Sequence, residues 1–211
     1  MPDKLKLKRG DLHDALIDYA LEAARQGHIE VMSLRQAARD LGVSSGAVYR
    51  HFADKDTLLG AIVKIGFFDL RDRFLAVRPE GAVAQTPQEA IDRCFAVTRA
   101  YITFAHDNNA LWHMMFGRIG MICRDEMMKD PELTRYTLFD VGMALCSDLY
   151  HHGLLPRRPD VADIRYTWSA THGAADLAQS GARMDHERLD EVIYETTQRN
   201  LRALGLDLQQ I

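Results

Sequence analysis

The chain has 211 residues, of which 47% are hydrophobic and 27% charged, and its 26 basic and 30 acidic residues give a formal net charge of −4. These values are typical of a globular protein and exclude collagen-like, low-complexity and disordered classes. The negative net charge argues against a protein that binds nucleic acid through bulk charge alone, but it leaves room for a local basic patch.

The sequence lacks the features of a membrane protein or a disulfide-rich protein. No stretch approaches the roughly 18 to 20 uncharged apolar residues that a membrane span needs, so we expect a cytoplasmic protein without a membrane partner. Cys94, Cys123 and Cys146 show neither CxxC nor CxxH spacing. This pattern predicts reduced, mostly buried thiols, and we expect no metal and no cofactor.

Helix signals dominate from the first residues onward. Apolar residues at helical spacing predict a first helix that starts at Asp11 and ends at Gly27. Ser33 with the glutamine three residues later is typical of a capped start, which predicts a short helix over residues 34–41 that Gly42 ends.

Two further helices follow directly. Ser44 is a suitable N-cap for another short helix that runs to about Phe52. Asp54 caps a long helix over residues 55–78, which the proline and glycine of residues 79–81 break.

The remaining two thirds of the chain also consist of helical patterns. Thr86 caps a helix that runs to about His106, and an apolar segment covers residues 110–116. Two apolar stripes predict one long central helix from Asp130 to Gly153.

Two helices close the chain, the first over residues 160–180 and the second with its apolar face at Leu189, Val192, Ile193, Thr196 and Leu204. The fold class is therefore all-α, with about nine or ten helices. We expect a three-helix module over residues 1–56 that is joined to a helical bundle over residues 57–211.

The two short helices have the spacing of a helix-turn-helix, because Gly42, Val43 and Ser44 alone join them. In that motif the second helix presents its exposed start to the major groove of double-stranded DNA. The residues expected to contact DNA are Ser33, Arg35, Ser44, Ser45, Gly46, Ala47, Tyr49, Arg50, His51 and Lys55.

Their side chains suit different contacts. Hydroxyl and ammonium groups supply many phosphate bonds, so Ser33, Tyr49 and Lys55 are expected at the phosphates. Arg35 and Arg50 suit either a base edge or a phosphate, and their spacing leaves both roles open.

The segment from Gly42 to Gly46 also satisfies G-x-S-x-G, the nucleophile elbow of an α/β-hydrolase. That chemistry needs a strand before the serine and an aspartate and a histidine from later strands. A helix pattern precedes the serine here, and no strand pattern occurs along the chain. The helix-turn-helix interpretation is therefore favoured, and we expect no enzyme and no catalytic residues.

The run SLRQAARDLGVSSGAVYRHFADKDTLL, residues 33–59, closely resembles the DNA-binding domain of the TetR/AcrR family of bacterial transcriptional regulators. The matching positions are Ala38, Gly42, Val43, Ser44, Gly46, Tyr49, His51, Phe52, Lys55 and Leu58. The resemblance implies an all-helical homodimer. Its helix-turn-helix DNA-binding domain is expected over residues 1–56, and its variable C-terminal domain, which binds a small molecule and supplies the dimer interface, over residues 57–211.

Residues 100–117 and 168–177 resemble the C-terminal domain type named for a Trp-His-Gly signature within that family. The residues expected to bind an effector are Phe104, Trp112, Met115, Phe116, Met121, Tyr136, Phe139, Met143, Trp168 and His172. Methionine suits an adaptable apolar pocket and is also a common core filler. Trp168 and His172 share a helix face and suit either a ligand contact or a packed core.

These features predict a homodimeric transcriptional regulator, expected to be a repressor, that pairs through its last two helices and leaves a palindromic operator when a small apolar or amphipathic effector binds. Burial of those two helices within a monomer is the alternative to the dimer. A regulator whose C-terminal domain binds no ligand is the main alternative function, and an enzyme is the less favoured one.

The distribution of charge is consistent with this hypothesis. Residues 1–56 contain nine basic and nine acidic residues, so the acidity belongs to the remainder of the chain. The basic residues of the first part include a tail of Lys4, Lys6, Lys8 and Arg9. We therefore expect weak non-specific and locally directed DNA binding.

Overall fold

A computed structural model describes residues 11–179 and 188–207, so the basic tail at residues 4–9 lies outside the described residues. The helices are α1 Asp11–Arg25, α2 Leu34–Asp40, α3 Ser45–His51, α4 Lys55–Val77, α5 Pro87–Asp107, α6 Asn109–Phe116, α7 Arg118–Met127, α8 Pro131–Arg135, α9 Leu138–His151, α10 Val161–Gln179 and α11 Leu189–Ala203. The described ranges contain no strand, which confirms the all-α class.

The chain divides into two compact units that are not consecutive in sequence. The N-terminal unit holds the described residues up to Phe67 together with Asn109–Asp130. The C-terminal unit holds Phe68–Asn108 together with the described residues from Pro131 onward. The division of function at residue 56 stays a prediction.

In the N-terminal unit, the apolar faces of short helices are buried against α4 and α6. Leu16 of α1, Val48 of α3 and Leu58 of α4 are fully buried. Gly66 of α4 lies so close to α6 that a Cβ atom there would come within 3.1 Å of Leu111 Cδ1. The segment that carries α6 and α7 therefore packs with α4 and α1 in this unit.

In the C-terminal unit, α5, α9, α10 and α11 pack together around an apolar cluster. Its buried members are Ala84, Ala90, Ile91, Leu149, Leu155, Leu201 and Leu206. Asn200 of α11 is also buried, and its side-chain amide donates to the hydroxyl of Thr171 at 3.0 Å, which links α11 to α10.

A buried ion cluster lies beside this core. Arg78, which directly follows α4, donates Nε and Nη2 to the two carboxylate oxygens of Asp148 at 3.0 and 3.2 Å. Arg93 of α5 places Nη1 3.5 Å from the same carboxylate and donates to Glu89 at 2.7 Å. The cluster joins the end of α4 to α5 and α9.

The prediction of one long helix from Asp130 to Gly153 is wrong. The chain leaves the helical path after α8, and Thr137 starts α9 with a reciprocal capping box. The Thr137 hydroxyl accepts from the Asp140 backbone N–H at 3.2 Å, while the Asp140 carboxylate accepts from the Thr137 N–H at 2.7 Å. These local bonds replace the helical bonds that a continuous helix would have made.

Candidate nucleic-acid interface and effector residues

Two capped helices form the helix-turn-helix. The Ser33 hydroxyl accepts from the Gln36 N–H at 3.2 Å, and the Ser44 hydroxyl accepts from the Ala47 N–H at 3.2 Å. Both caps were predicted. The side chain of Gln36 does not return to Ser33, as a full capping box requires, but donates to Asp40 at 2.6 Å.

The turn between α2 and α3 depends on one glycine. Gly42 has φ +69°, a left-handed conformation that disfavours any residue with a Cβ atom. The Gly42 N–H donates to the Arg39 carbonyl at 3.1 Å, and the Val43 N–H donates to the Ala38 carbonyl at 2.9 Å. This is the Schellman pattern of helix termination, and it directs the chain into α3.

The outer face of α3 is open to solvent. Ser45, Gly46 and Arg50 are exposed, Tyr49 is 43% exposed, and Ala47 and His51 are half-buried. Val48, which points the other way, is fully buried and holds the helix to the unit. Seven residues with one buried anchor and an open outer face suit a helix that enters a groove.

Two cations of the helix-turn-helix are open to solvent. Arg35 on α2 and Arg50 on α3 are exposed, and within the described part of the chain neither guanidinium makes a hydrogen bond or an ion pair. Such groups are available to phosphates or base edges.

Lys55 is tied to its own chain. Its ammonium group donates to the backbone carbonyl of Glu30 at 2.8 Å, and the residue is half-buried at the start of α4. The bond joins the loop before α2 to α4. An ammonium group has three donors, so one bond does not prevent a phosphate contact.

A polar link between α1 and α2 was not predicted. The hydroxyl of Tyr19 donates to the Asp40 carboxylate at 2.6 Å. This bond is the main reason why the pKa of Tyr19 is raised above its ordinary value. A signal existed in Asp40, because an acidic residue at a helix C-terminus opposes the helix dipole and needs another explanation.

The ten expected effector residues fall into both units. Trp112, Met115, Phe116 and Met121 belong to the N-terminal unit, and the other six belong to the C-terminal unit. Trp112 and Met115 are buried, and the Trp112 ring lies 4.4 Å from that of Phe116. Met121 is 75% exposed.

The expected residues of the C-terminal unit differ in burial. Phe104 is fully buried, Tyr136 and Met143 are half-buried, and Phe139 is 38% exposed. Tyr136 places its hydroxyl 3.4 Å from Nη1 of Arg78. The assignment of these residues to an effector stays a prediction.

Trp168 and His172 of α10 meet at Tyr101 of α5. The Trp168 indole N–H donates to the Tyr101 hydroxyl at 2.9 Å, and that hydroxyl lies 2.8 Å from His172 Nδ1. Because an indole nitrogen can only donate, the hydroxyl proton can be given to His172. Burial lowers the pKa of His172, which favours the neutral ring that accepts this proton.

Neither a metal-binding cluster nor a membrane-spanning helix occurs among the described residues. No group of three or more His, Cys, Asp or Glu side chains in them could hold a metal ion. No helix in the same residues is long and apolar enough to cross a membrane.

Two family models match the chain. Residues 16–62 match the model described as bacterial regulatory proteins, tetR family, and these include α2 and α3. Residues 94–204, more than half of the chain, match the tetracyclin repressor-like C-terminal domain. The chain belongs to the TetR family. The matched models describe bacterial regulatory proteins, so the comparisons point to a family of transcriptional regulators rather than to an enzyme.

Relatives of this TetR-family chain include two named regulators. An HTH-type transcriptional regulator of Mycobacterium bovis is 33% identical over 86 residues, which are 41% of this chain and 35% of that protein. The HTH-type transcriptional regulator BetI of Escherichia coli is 34% identical over 87 residues, 40% of this chain and 45% of that protein. The match thus spans less than half the length of either relative.

Solved structures share the fold over most of the chain. A tetR-family regulatory protein from Rhodococcus RHA1 has a TM-score of 0.68 at 19% identity, with 92% of this chain and 97% of that chain covered. The fatty acid degradation regulator FadR from Bacillus halodurans has a TM-score of 0.69 at 12% identity, with the same coverage. At these identities the likeness shows the fold alone.

Proposed function

We propose that the protein is a homodimeric repressor that binds a palindromic operator and leaves it when a small apolar or amphipathic effector binds. The observation that carries the proposal is the open outer face of α3, where Tyr49 and Arg50 are exposed. Arg35 of α2 is exposed as well, and it makes no hydrogen bond or ion pair with another described residue. TetR-family regulators bind DNA and typically act as dimers, which agrees with this arrangement.

In the proposed complex, α3 enters the major groove and α2 lies across the backbone. Ser33, Tyr49 and Lys55 contact phosphates, while Arg35 and Arg50 reach either base edges or phosphates. A two-fold axis places the second copy of α3 about 34 to 36 Å away, one turn of DNA further on.

The last two helices are the proposed dimer interface. Three exposed apolar side chains on α10 support it, because Val161, Tyr166 and Leu177 are each more than half exposed in the single chain. Tyr194 of α11 is likewise 54% exposed. Apolar side chains of this size commonly mark a protein interface when they lie together.

The proposed effector acts by preferring one of two dimer conformations. A ligand can shift such an equilibrium only through its different affinity for the two states. The proposed effector residues are those expected from the sequence within the C-terminal unit, where the fully buried side chain of Phe104 supplies apolar surface. Helix α4, which has residues in both units, is the proposed lever.

The DNA-binding proposal is tested with a duplex selected by the wild-type protein from a random library. Arg50→Ala is expected to lower affinity for that duplex by about 5- to 150-fold, since a good contact to a base edge contributes about 1 to 3 kcal/mol. Arg158→Ala removes an exposed arginine of the C-terminal unit and serves as the matched control. Equal affinities of the two variants would contradict the proposed docking of α3.

The effector proposal needs a separate measurement. A library of apolar and amphipathic small molecules is screened for compounds that raise the melting temperature of the protein. A true effector is expected to raise it and also to release the selected duplex. A library in which no compound does both would favour a regulator whose C-terminal domain binds no ligand.

A further inference from the structure

Asp40 holds an unusual position for an acidic residue. It is the last residue of α2, where the helix dipole favours a cation. Both of its carboxylate oxygens nevertheless accept hydrogen bonds, Oδ2 from the Tyr19 hydroxyl at 2.6 Å and Oδ1 from the Gln36 side chain at 2.6 Å. The contact with α1 therefore explains why an acidic residue occupies a position where the helix dipole disfavours one.

Helix α2 depends on such contacts for its orientation. It has seven residues, which is too short for a helix that is stable by itself. Leu34, Ala37 and Ala38 form its buried face. Two of these three side chains are single methyl groups, and apolar contacts have no preferred direction. A short, directional hydrogen bond at the end of the helix restricts rotation about the helix axis.

The orientation of α2 matters for DNA because of what it carries. Ser33 caps its first turn and Arg35 lies within that turn, and both are proposed DNA contacts. Its other end leads through the Gly42 turn directly into α3. A rotation of α2 therefore changes the direction of Arg35 and the path by which the chain enters α3.

We propose that Tyr19 is a positioning residue for sequence-specific DNA recognition, which acts by holding Asp40 and makes no contact with DNA itself. This inference rests on the proposed docking of α2 and α3. It adds a residue of α1 to the determinants of recognition. The Tyr19–Asp40 bond selects among orientations of α2, so its loss weakens binding to the correct sequence more than binding to any other duplex.

The test uses the full chain, the duplex selected by the wild-type protein and an unrelated duplex of the same length. Tyr19→Phe removes the hydroxyl alone and is expected to lower affinity for the selected duplex about tenfold, as for one charge-assisted hydrogen bond. Affinity for the unrelated duplex and the salt dependence of binding stay unchanged. Tyr150→Phe removes the hydroxyl of an exposed tyrosine of α9, outside the proposed dimer interface, and is the matched control.

Variants of Asp40 separate positioning from general damage to the fold. Asp40→Asn keeps an oxygen that accepts from Tyr19, so it is expected to retain most of the affinity for the selected duplex. Asp40→Ala is expected to match Tyr19→Phe, and the double variant to lose no more than either single one. The ratio of the two duplex affinities does not depend on the fraction of folded protein.

Three results would overturn the inference. Wild-type affinity of Tyr19→Phe for the selected duplex would show that the bond has no role in recognition. An equal loss on both duplexes with a weaker salt dependence would assign Tyr19 to a phosphate contact. Additive losses in the double variant would show that the two residues act separately. Unchanged binding by Arg50→Ala would instead count against the proposed docking itself.

Discussion

The ion cluster around Asp148 allows a quantitative prediction. Asp148→Asn keeps the shape of the side chain but removes the only charge that faces the buried guanidinium of Arg78 within the described residues. The side chains of Arg78 and Asp148 are 7% and 2% exposed, so water cannot replace the lost charge. The variant leaves buried positive charge without compensation.

The expected cost follows from this burial. Removing one partner of a buried ion pair destabilises a protein by about 3 to 5 kcal/mol. For a chain of this length, 1 kcal/mol corresponds to about 2 to 4 °C in melting temperature. We therefore expect Asp148→Asn to lower the melting temperature of the C-terminal unit by about 6 to 20 °C, measured by circular dichroism and by urea unfolding.

A surface pair provides the matched control. Arg199 and Glu195 of α11 lie 3.2 Å apart with 76% and 53% of their side chains exposed. Glu195→Gln is expected to cost less than about 1 kcal/mol, because solvent screens exposed pairs. A loss below about 1 kcal/mol for Asp148→Asn, comparable with the control, would refute the argument that the buried cluster holds α4, α5 and α9 together.

Three further predictions concern single residues. Lys55→Ala should weaken DNA binding and lower the magnitude of the slope of log affinity against log salt concentration by about 0.9 for each bound chain. An unchanged slope would mean that Lys55 makes no phosphate contact and serves only in its bond to the Glu30 carbonyl. Gly42→Ala should destabilise the protein by about 1 to 2 kcal/mol, whereas Gly42→Asn should cost less, because asparagine tolerates positive φ. Burial lowers the folded-state pKa of His172 below 6.5, so the unfolded chain binds more protons than the folded chain as the pH drops from 7 through about 6.5, and the free energy of unfolding should fall. His172→Gln should flatten this pH dependence. An unaltered profile in that variant would contradict the assignment to His172.

The helix-turn-helix could be predicted closely because its determinants are local. Ser33 and Ser44 cap their helices through backbone N–H groups three residues away, and Gly42 ends α2 through its own backbone conformation. Each of these interactions lies within a few residues of sequence. Both partners of each bond therefore lie within one short segment, and the bond can be predicted from that segment alone.

The features that were missed depend on partners far apart in sequence or on competing local bonds. Tyr19 and Asp40 are 21 residues apart, and Arg78 and Asp148 are 70 apart, so no spacing rule connects them. The break before α9 arose differently. The apolar stripes there suited a continuous helix, but the capping box of Thr137 and Asp140 outweighed them.

Which helices belong to which unit could not be predicted from the sequence either. Residues 109–130 follow α5 in the chain, yet they belong to the same unit as α1, α2 and α3. Contacts such as that between Gly66 and Leu111 decide this, and a glycine in an apolar helix does not reveal which helix will approach it. The effector residues were therefore predicted as one set although they fall into both units.

Footprinting of the full chain on its selected duplex tests the central claim, sequence-specific DNA binding by a two-fold pair of helix-turn-helix motifs. A symmetric pair of motifs should protect two half-sites whose centres lie about 10 base pairs apart or a multiple of that distance, and Arg50→Ala should abolish the protection of both. A single protected site, or selection of no preferred sequence, would contradict it.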